Sequence, residues 1–360
     1  MSNIVHVLYY FGTWGIFRLW NSGFRANYCI MSKEESTILK GVAILLMLFL
    51  HLFNKTNLSE ICQPLLFVGD QPLVHILSRA ANPVAFFIIL SGYGLRFVYD
   101  QGKLDMKSQG RRLLKLYIHY WLILFVFVSI GSYVHPETYP GDIWKIIGNL
   151  TSWNNTYNYE TWFLFPYAVI SLCAFPIFKL MDKIGNVRSL LLFFCISFAC
   201  AYITSRYIAV YKLYDSMLAH IITPLGFLFG FGIGAVMCRI SAVRPLRIKH
   251  LEGRGRLTIL LLLLLVTFRC LFDTSAFHTI YVFFFILLFL HIPLHRIVKM
   301  FLVKMGEHSM PMWMIHTFFS NYIFREFIWG FQYPLVIYIV LLTISYACSI
   351  PIMKCAKRIC

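Results

Sequence analysis

Apolar runs long enough to cross a bilayer recur along this chain, and few architectures can accept them. A helix needs about 20 consecutive apolar residues to span a hydrocarbon core of roughly 30 Å. Inside lipid every backbone N–H and C=O must be satisfied within the structure, and for long continuous runs the solution is the helix. Windows that meet this demand lie near residues 38–54, 82–98, 113–133, 161–180, 188–204, 217–238, 257–272, 276–294, 310–329 and 334–353. The sequence therefore predicts an all-α polytopic membrane protein with about ten transmembrane helices. Composition agrees: 59% of the residues are hydrophobic and only 13% charged, where soluble domains carry roughly a quarter charged.

The net charge is +17, a figure that can accompany nucleic-acid binding, but its distribution points to lipid. With the N-terminus placed in the cytoplasm, only Lys55, Arg79, Lys145, Arg206, Lys212, Arg269 and Arg325 fall on the outer side of the ten spans. The rest of the 32 lysines and arginines collect on the inner side. Basic loops facing the cytoplasm are the rule for membrane proteins. Both termini are thus expected to be cytoplasmic, in an inner (plasma) membrane, with membrane lipid rather than nucleic acid as the partner. The ten cysteines show no CxxC and no metal spacing, so they read as packing thiols and no metal is expected.

Residues 1–35 read as an N-terminal extension. The stretch IVHVLYYFGTWGIF is too short to span and lacks a signal-peptide cleavage site. Two readings stand: it lies in the interface, or it precedes a natural start at Met31.

Polar groups inside the spans carry the functional signal. Lys40 and His51 interrupt the first apolar helix eleven residues apart, about three turns, and so project from one face. Ionisable groups within a span usually face a cavity and mark function; the plain alternative is a snorkelling lysine and a histidine bonding a neighbour helix. In the ninth span Ser309 and His316 are seven residues apart and again share a face. His316 thereby reaches a depth near that of His51, and one of the two imidazoles could act as general base toward a hydroxyl. The alternative makes either one a structural interhelical donor.

Arg111, Arg112 and Lys115 cluster at the cytoplasmic start of the third span, as lipid-headgroup anchors or as a grip on a polyphosphate. Ser91, Gly92 and Gly94 in the second span permit close helix approach or the passage of a thin ligand chain. Glu160 and Trp162 open the fourth span at the outer interface. Trp162 fits an aromatic belt, and Glu160 is first a solvated carboxylate and second a contact for a substrate from outside.

Taken in order, LKGVAILLMLFLH, FFIILSGYGL, GRRLLKLYIHYW, TWFLFP and GEHSMPMWMIH resemble the integral-membrane acyltransferase family 3. That family includes bacterial O-acetyltransferases of exopolysaccharide, O-antigen and peptidoglycan, and the resemblance runs over residues 36–355. Its first helix carries Arg, ten residues, then His; here Lys40 stands at the arginine position and His51 is the histidine. Its third helix carries Arg-x-x-Arg; here Arg112-Leu-Leu-Lys115 replaces the second arginine, with Arg111 adjacent. A lysine lacks the bidentate fork of arginine, which bears on how the donor is gripped.

The resemblance implies transfer of an acetyl group from cytoplasmic acetyl-CoA to a hydroxyl of a glycan or its lipid-linked precursor. His51 and His316 would be catalytic, His51 as base or transient acyl carrier. Lys40, Arg111, Arg112, Lys115 and Ser91 would hold the donor, and Glu160 and Trp162 the acceptor. Some members append a periplasmic hydrolase-like domain that passes the acyl group on. This chain is expected to lack one and either to acetylate the glycan itself or to hand the group to a separate acyl-accepting partner protein. The competing reading is a transporter or flippase of a lipid-linked glycan or small solute, against which stands the absence of a visible internal repeat.

Overall fold

The computed structural model describes residues 31–241, 248–272, 274 and 277–359; both readings of residues 1–30 lie outside these. Helix α1 (Lys33–Phe53) begins before the apolar window does, because Ser32 and Glu35 form a capping box: the Ser32 hydroxyl accepts from the Glu35 N–H at 3.0 Å, and the Glu35 carboxylate accepts from the Ser32 N–H at 2.7 Å. Helix α2 (Pro83–Asp100) follows a small hairpin and a short helical turn. Asp105 and Ser108 cap α3 (Met106–Val134) in the same reciprocal way. Its 29 residues extend for about 44 Å, longer than a hydrocarbon core of roughly 30 Å, and Arg111, Arg112 and Lys115 lie in its first three turns.

After an amphipathic helix α4 (Ile143–Leu150) and a 3-10 turn (Tyr159–Phe163), the chain continues as α5 (Leu164–Leu172) and α6 (Ala174–Ile184). Then come α7 (Asn186–Ile203), α8 (Met217–Gly226), α9 (Leu228–Ser241), α10 (Gly255–Leu271) and α11 (His278–Phe289). The described chain ends with α12 (Arg296–Glu307), α13 (Ser309–Ser320), a short turn of helix at Arg325–Trp329, and α14 (Pro334–Ile359).

The all-α polytopic expectation holds, and each of the ten apolar windows is helical over most of its length. Not every window is one rod. Among the described residues, six helical stretches are long and apolar enough to cross a membrane: Lys33–Phe53, Leu73–Asp100, Met106–Val134, Asn186–Ile208, Met217–Ser241 and Pro334–Ile359. The fourth window is bent by 54° between α5 and α6. Pro176 is the cause, since it has no N–H to offer the Leu172 carbonyl four residues back. Pro311 does the same to the Glu307 carbonyl at the α12–α13 break. The ninth window stops at Ser320 instead of running on to 329, and α10, α11 and α13 are shorter than a full span.

Two glycine contacts set the packing. A Cβ at Gly92 would strike the Phe231 carbonyl, and one at Gly234 the Ile89 carbonyl, so α2 and α9 meet backbone to backbone. Gly41 and Gly306 do the same for α1 and α12, against the carbonyls of Leu302 and Thr37. Small residues at such crossings let dispersion replace the hydrophobic drive that lipid does not supply. A charge network around the buried Arg96 ties α2, α6 and α9 near one end: Arg96 lies 2.7 Å from Asp100 and 2.8 Å from Asp182, which also meets Arg239 at 3.2 Å.

Candidate active site

The imidazole of His51, on the last turn of α1, meets that of His316 on α13, with His51 Nδ1 2.7 Å from His316 Nε2 and the ring planes 8° apart. His316 is fully buried and His51 partly so. The proton positions follow from the partners. His316 Nδ1 lies 2.8 Å from the Trp313 carbonyl and 3.2 Å from that of Met312, and a carbonyl only accepts. In the neutral ring His316 therefore carries its proton on Nδ1 and presents a lone pair at Nε2. His51 Nδ1 must then be the donor to it, which leaves the lone pair of His51 on Nε2. Among the described residues nothing bonds that nitrogen. The arrangement is a base held in one tautomer by a buried second imidazole.

One turn and more toward the other end of the same helices lies a cavity of ≈ 220 Å³, between α1, α2, α3, α5 and α13. Lys40, Ser91 and Arg112 all line it, together with Gln109, Tyr167, Ser309 and Trp313. Ser171 also faces it, and the rest of its wall is apolar, from Phe87, Leu95, Leu113, Leu116, Phe163 and Met310. The Arg112 guanidinium donates to Gln109 Oε1 at 2.9 Å, and buried Gln109 donates in turn to the Ser171 carbonyl at 2.9 Å. Ser91 Oγ lies 3.4 Å from the Tyr167 hydroxyl. No hydrogen bond or ion pair among the described residues engages the Lys40 ammonium, so its three donors face the cavity uncommitted. Arg111 and Lys115 are exposed on α3 and do not line the cavity.

On the other side of the histidines, helix breaks supply a polar cluster. Glu160, in the 3-10 turn ahead of α5, accepts from Asn321 Nδ2 at 3.1 Å and from the Tyr322 hydroxyl at 2.9 Å. Asn321 Oδ1 accepts from Lys55 Nζ at 3.1 Å, and that ammonium stands 4.6 Å over the Trp329 ring. Burial, with the Arg325 charge beside it, lowers the Lys55 pKa, while Glu160 opposes. Asn158 joins the same breaks by donating to the Met314 carbonyl at 2.9 Å and accepting from Thr317 at 2.7 Å. The expectation of a solvated Glu160 gives way to a carboxylate held by two donors. Trp162 packs against Phe163 and Phe227 and is not part of the carboxylate's hydrogen bonding.

The structure thus joins His51 to His316, and Lys40, Ser91 and Arg112 to one another, while Arg111, Lys115 and Trp162 lie outside those groups. Sequence reading passed over Lys55, Asn321, Tyr322 and Gln109. Lys55 stood in the sparse outer set of cations, the one signal that could have drawn attention to it. A family model described as an acyltransferase domain matches residues 34–354 of the chain. No curated protein and no solved structure matches it.

Proposed function

The chain belongs to the integral-membrane acyltransferase family 3, and from that premise we propose that it is an O-acyltransferase, moving an acetyl group from cytoplasmic acetyl-CoA to a hydroxyl of a cell-surface glycan or its lipid-linked precursor. The observation that carries this reading is the 2.7 Å contact between His51 and His316. It leaves one unshared imidazole lone pair inside a membrane domain, which is what removal of a hydroxyl proton requires.

The inner cavity suits the donor. Two cations, Lys40 and Arg112, meet at one chamber whose other walls mix apolar side chains with a few neutral polar ones, a match for a thin arm that carries amides and ends in phosphate. At ≈ 220 Å³ it holds such an arm but not a nucleotide, for which Arg111 and Lys115 are the exposed cations at hand on α3. Acetyl-CoA supplies an acyl group activated as a thioester. Lys40 and Arg112 bind and orient, Gln109 steadies Arg112, and His51 Nε2 takes the acceptor proton while His316 holds its ring. Glu160, with Asn321 and Tyr322, forms the acceptor side.

In this reading the broken and short helices complete ten spans, both termini lie in the cytoplasm, and the protein resides in the inner membrane. The basic inner loops support that orientation. The acceptor is reached directly or through a separate acyl-accepting partner protein.

The test is transfer from radiolabelled acetyl-CoA to envelope glycans of the producing cell, read as base-labile ester, with wild type and a folded His51→Ala variant. Label that appears with wild type and vanishes with the variant supports the assignment. Wild type that neither binds acetyl-CoA nor transfers label sinks it, and the transporter reading takes its place.

A further inference from the structure

Acyl transfer to a hydroxyl needs more than a base. Negative charge gathers on the carbonyl oxygen as the new C–O bond forms, and preorganised donors at that point are commonly the largest contribution to the rate. The paired histidines do not supply one: His316 spends its only N–H on backbone carbonyls, and His51 spends its own on His316.

Lys55 fits the need. It follows α1 four residues after His51, and the two side chains are received in the same order by α13 and the residue that caps it, His51 by His316 and Lys55 by Asn321. Those receiving residues are five apart, His316 on α13 and Asn321 just past its end, a rise of about 7.5 Å at the helical step. That gap accommodates a reacting O–C–O unit, its acceptor oxygen about 3 Å from the base and its carbonyl oxygen about 3 Å from the donor. An ammonium has three N–H donors. Among the described residues Lys55 commits one to Asn321 and sets a face against Trp329, leaving donor capacity for a ligand. It is also half-buried, where a fixed charge acts more strongly than in water.

We propose that Lys55 is a further catalytic residue, whose ammonium donates to the thioester carbonyl oxygen as that oxygen takes on negative charge; this rests on the acyltransferase reading. His51 Nε2 removes the acceptor proton as the hydroxyl oxygen bonds to the carbonyl carbon. The carbonyl pair moves onto oxygen, held by Lys55. The pair then returns, the C–S bond breaks, and the departing thiolate takes the proton from His51. An ester and a free thiol result, and both side chains end as they began.

The experiment uses the full chain in lipid nanodiscs, [14C]acetyl-CoA and an envelope-glycan fraction, comparing wild type, His51→Gln, Lys55→Met and Lys55→Arg. The expected result is a fall in kcat of about 10²–10³ for Lys55→Met, with KM for acetyl-CoA and for glycan within about twofold of wild type and partial recovery in Lys55→Arg. An undiminished kcat in Lys55→Met overturns the proposal, and so does a loss confined to either KM, which would make Lys55 a binding residue. Should Lys55→Met not fold, Lys55→Gln, whose amide still reaches Asn321, carries the same comparison. An active wild type that His51→Gln silences while Lys55→Met leaves it intact removes this proposal alone. An inert wild type removes the acyltransferase reading with it.

Discussion

The indole Nε1 of Trp313 donates to the backbone carbonyl of Glu160 at 3.1 Å, between the cavity lined by Lys40 and Arg112 and the polar cluster around Glu160. The same tryptophan lines the cavity with its ring and offers its own carbonyl to His316. One residue therefore touches all three parts of the candidate site. Trp313→Phe keeps the apolar wall and the His316 bond but removes the indole donor from the Glu160 carbonyl, which stays within the 3-10 turn. A loss of about 0.5–1.5 kcal/mol is expected for one hydrogen bond removed, measurable by unfolding in mixed micelles.

His316 orients His51 without standing on the acceptor side itself. His316→Ala should lower kcat toward the lower end of what a general base contributes, about 10², because His51 is free to adopt the other tautomer. His316→Gln offers Oε1 to His51 Nδ1 and should recover part of that loss. Steady-state kinetics of the three proteins separates the cases. Equal damage in both variants would mean that His316 does more than hold the ring.

Arg112 and Gln109 form one unit at the cavity wall. Arg112→Ala should raise KM for acetyl-CoA by about tenfold or more, in line with loss of a charge-assisted hydrogen bond, with kcat little changed. Gln109→Ala should do the same more weakly. Arg112 is largely exposed, so added salt should raise the wild-type KM and flatten the difference.

The pH dependence of stability isolates Lys55. Burial and the Arg325 charge place its pKa below the ordinary 10.5 of lysine, so the unfolded chain binds that proton more tightly than the folded one. Stability then rises with pH over the window that ends near 10.5. Lys55→Met abolishes the proton and the penalty together. The variant should melt at or above wild type at pH 7, and the gap should narrow as pH is raised through the alkaline range. A gap that widens would contradict the sign.

Gly234→Val tests the helix crossing. Its Cβ would run into the backbone carbonyl of Ile89, which cannot turn aside as a flexible side chain would. At least the 1–3 kcal/mol typical of overpacking is expected, seen as a lower melting temperature in detergent. Gly94, with nothing within 4 Å of an added Cβ, should accept alanine at little cost.

Much of the site was legible because helices keep period. The eleven-residue step from Lys40 to His51 and the seven-residue step from Ser309 to His316 each return to one face, and the structure places all four as those steps require: two on the cavity, two on each other. What stayed hidden lies where helices stop. Asn321 and Tyr322 reach Glu160 because α13 ends at Ser320, and their bonds span 161 and 162 residues of sequence. Hydropathy saw one apolar window there and ran through it. The capping boxes at Ser32 and Asp105 were readable three residues ahead, but apolar windows do not register polar caps.

The glycine contact between α1 and α12 has a counterpart ten residues along each strand of chain. Gly41 and Gly306 lie at one crossing, His51 and His316 at the next. The two elements run the same way, and equal steps from a shared mark, about 15 Å on a regular helix, bring the imidazoles level. The pair works as a gauge, zeroed where the backbones touch and read where the rings meet. One residue inserted between Gly41 and His51 would turn His51 about 100° away from its partner. A methyl at Gly306 would shift the zero itself.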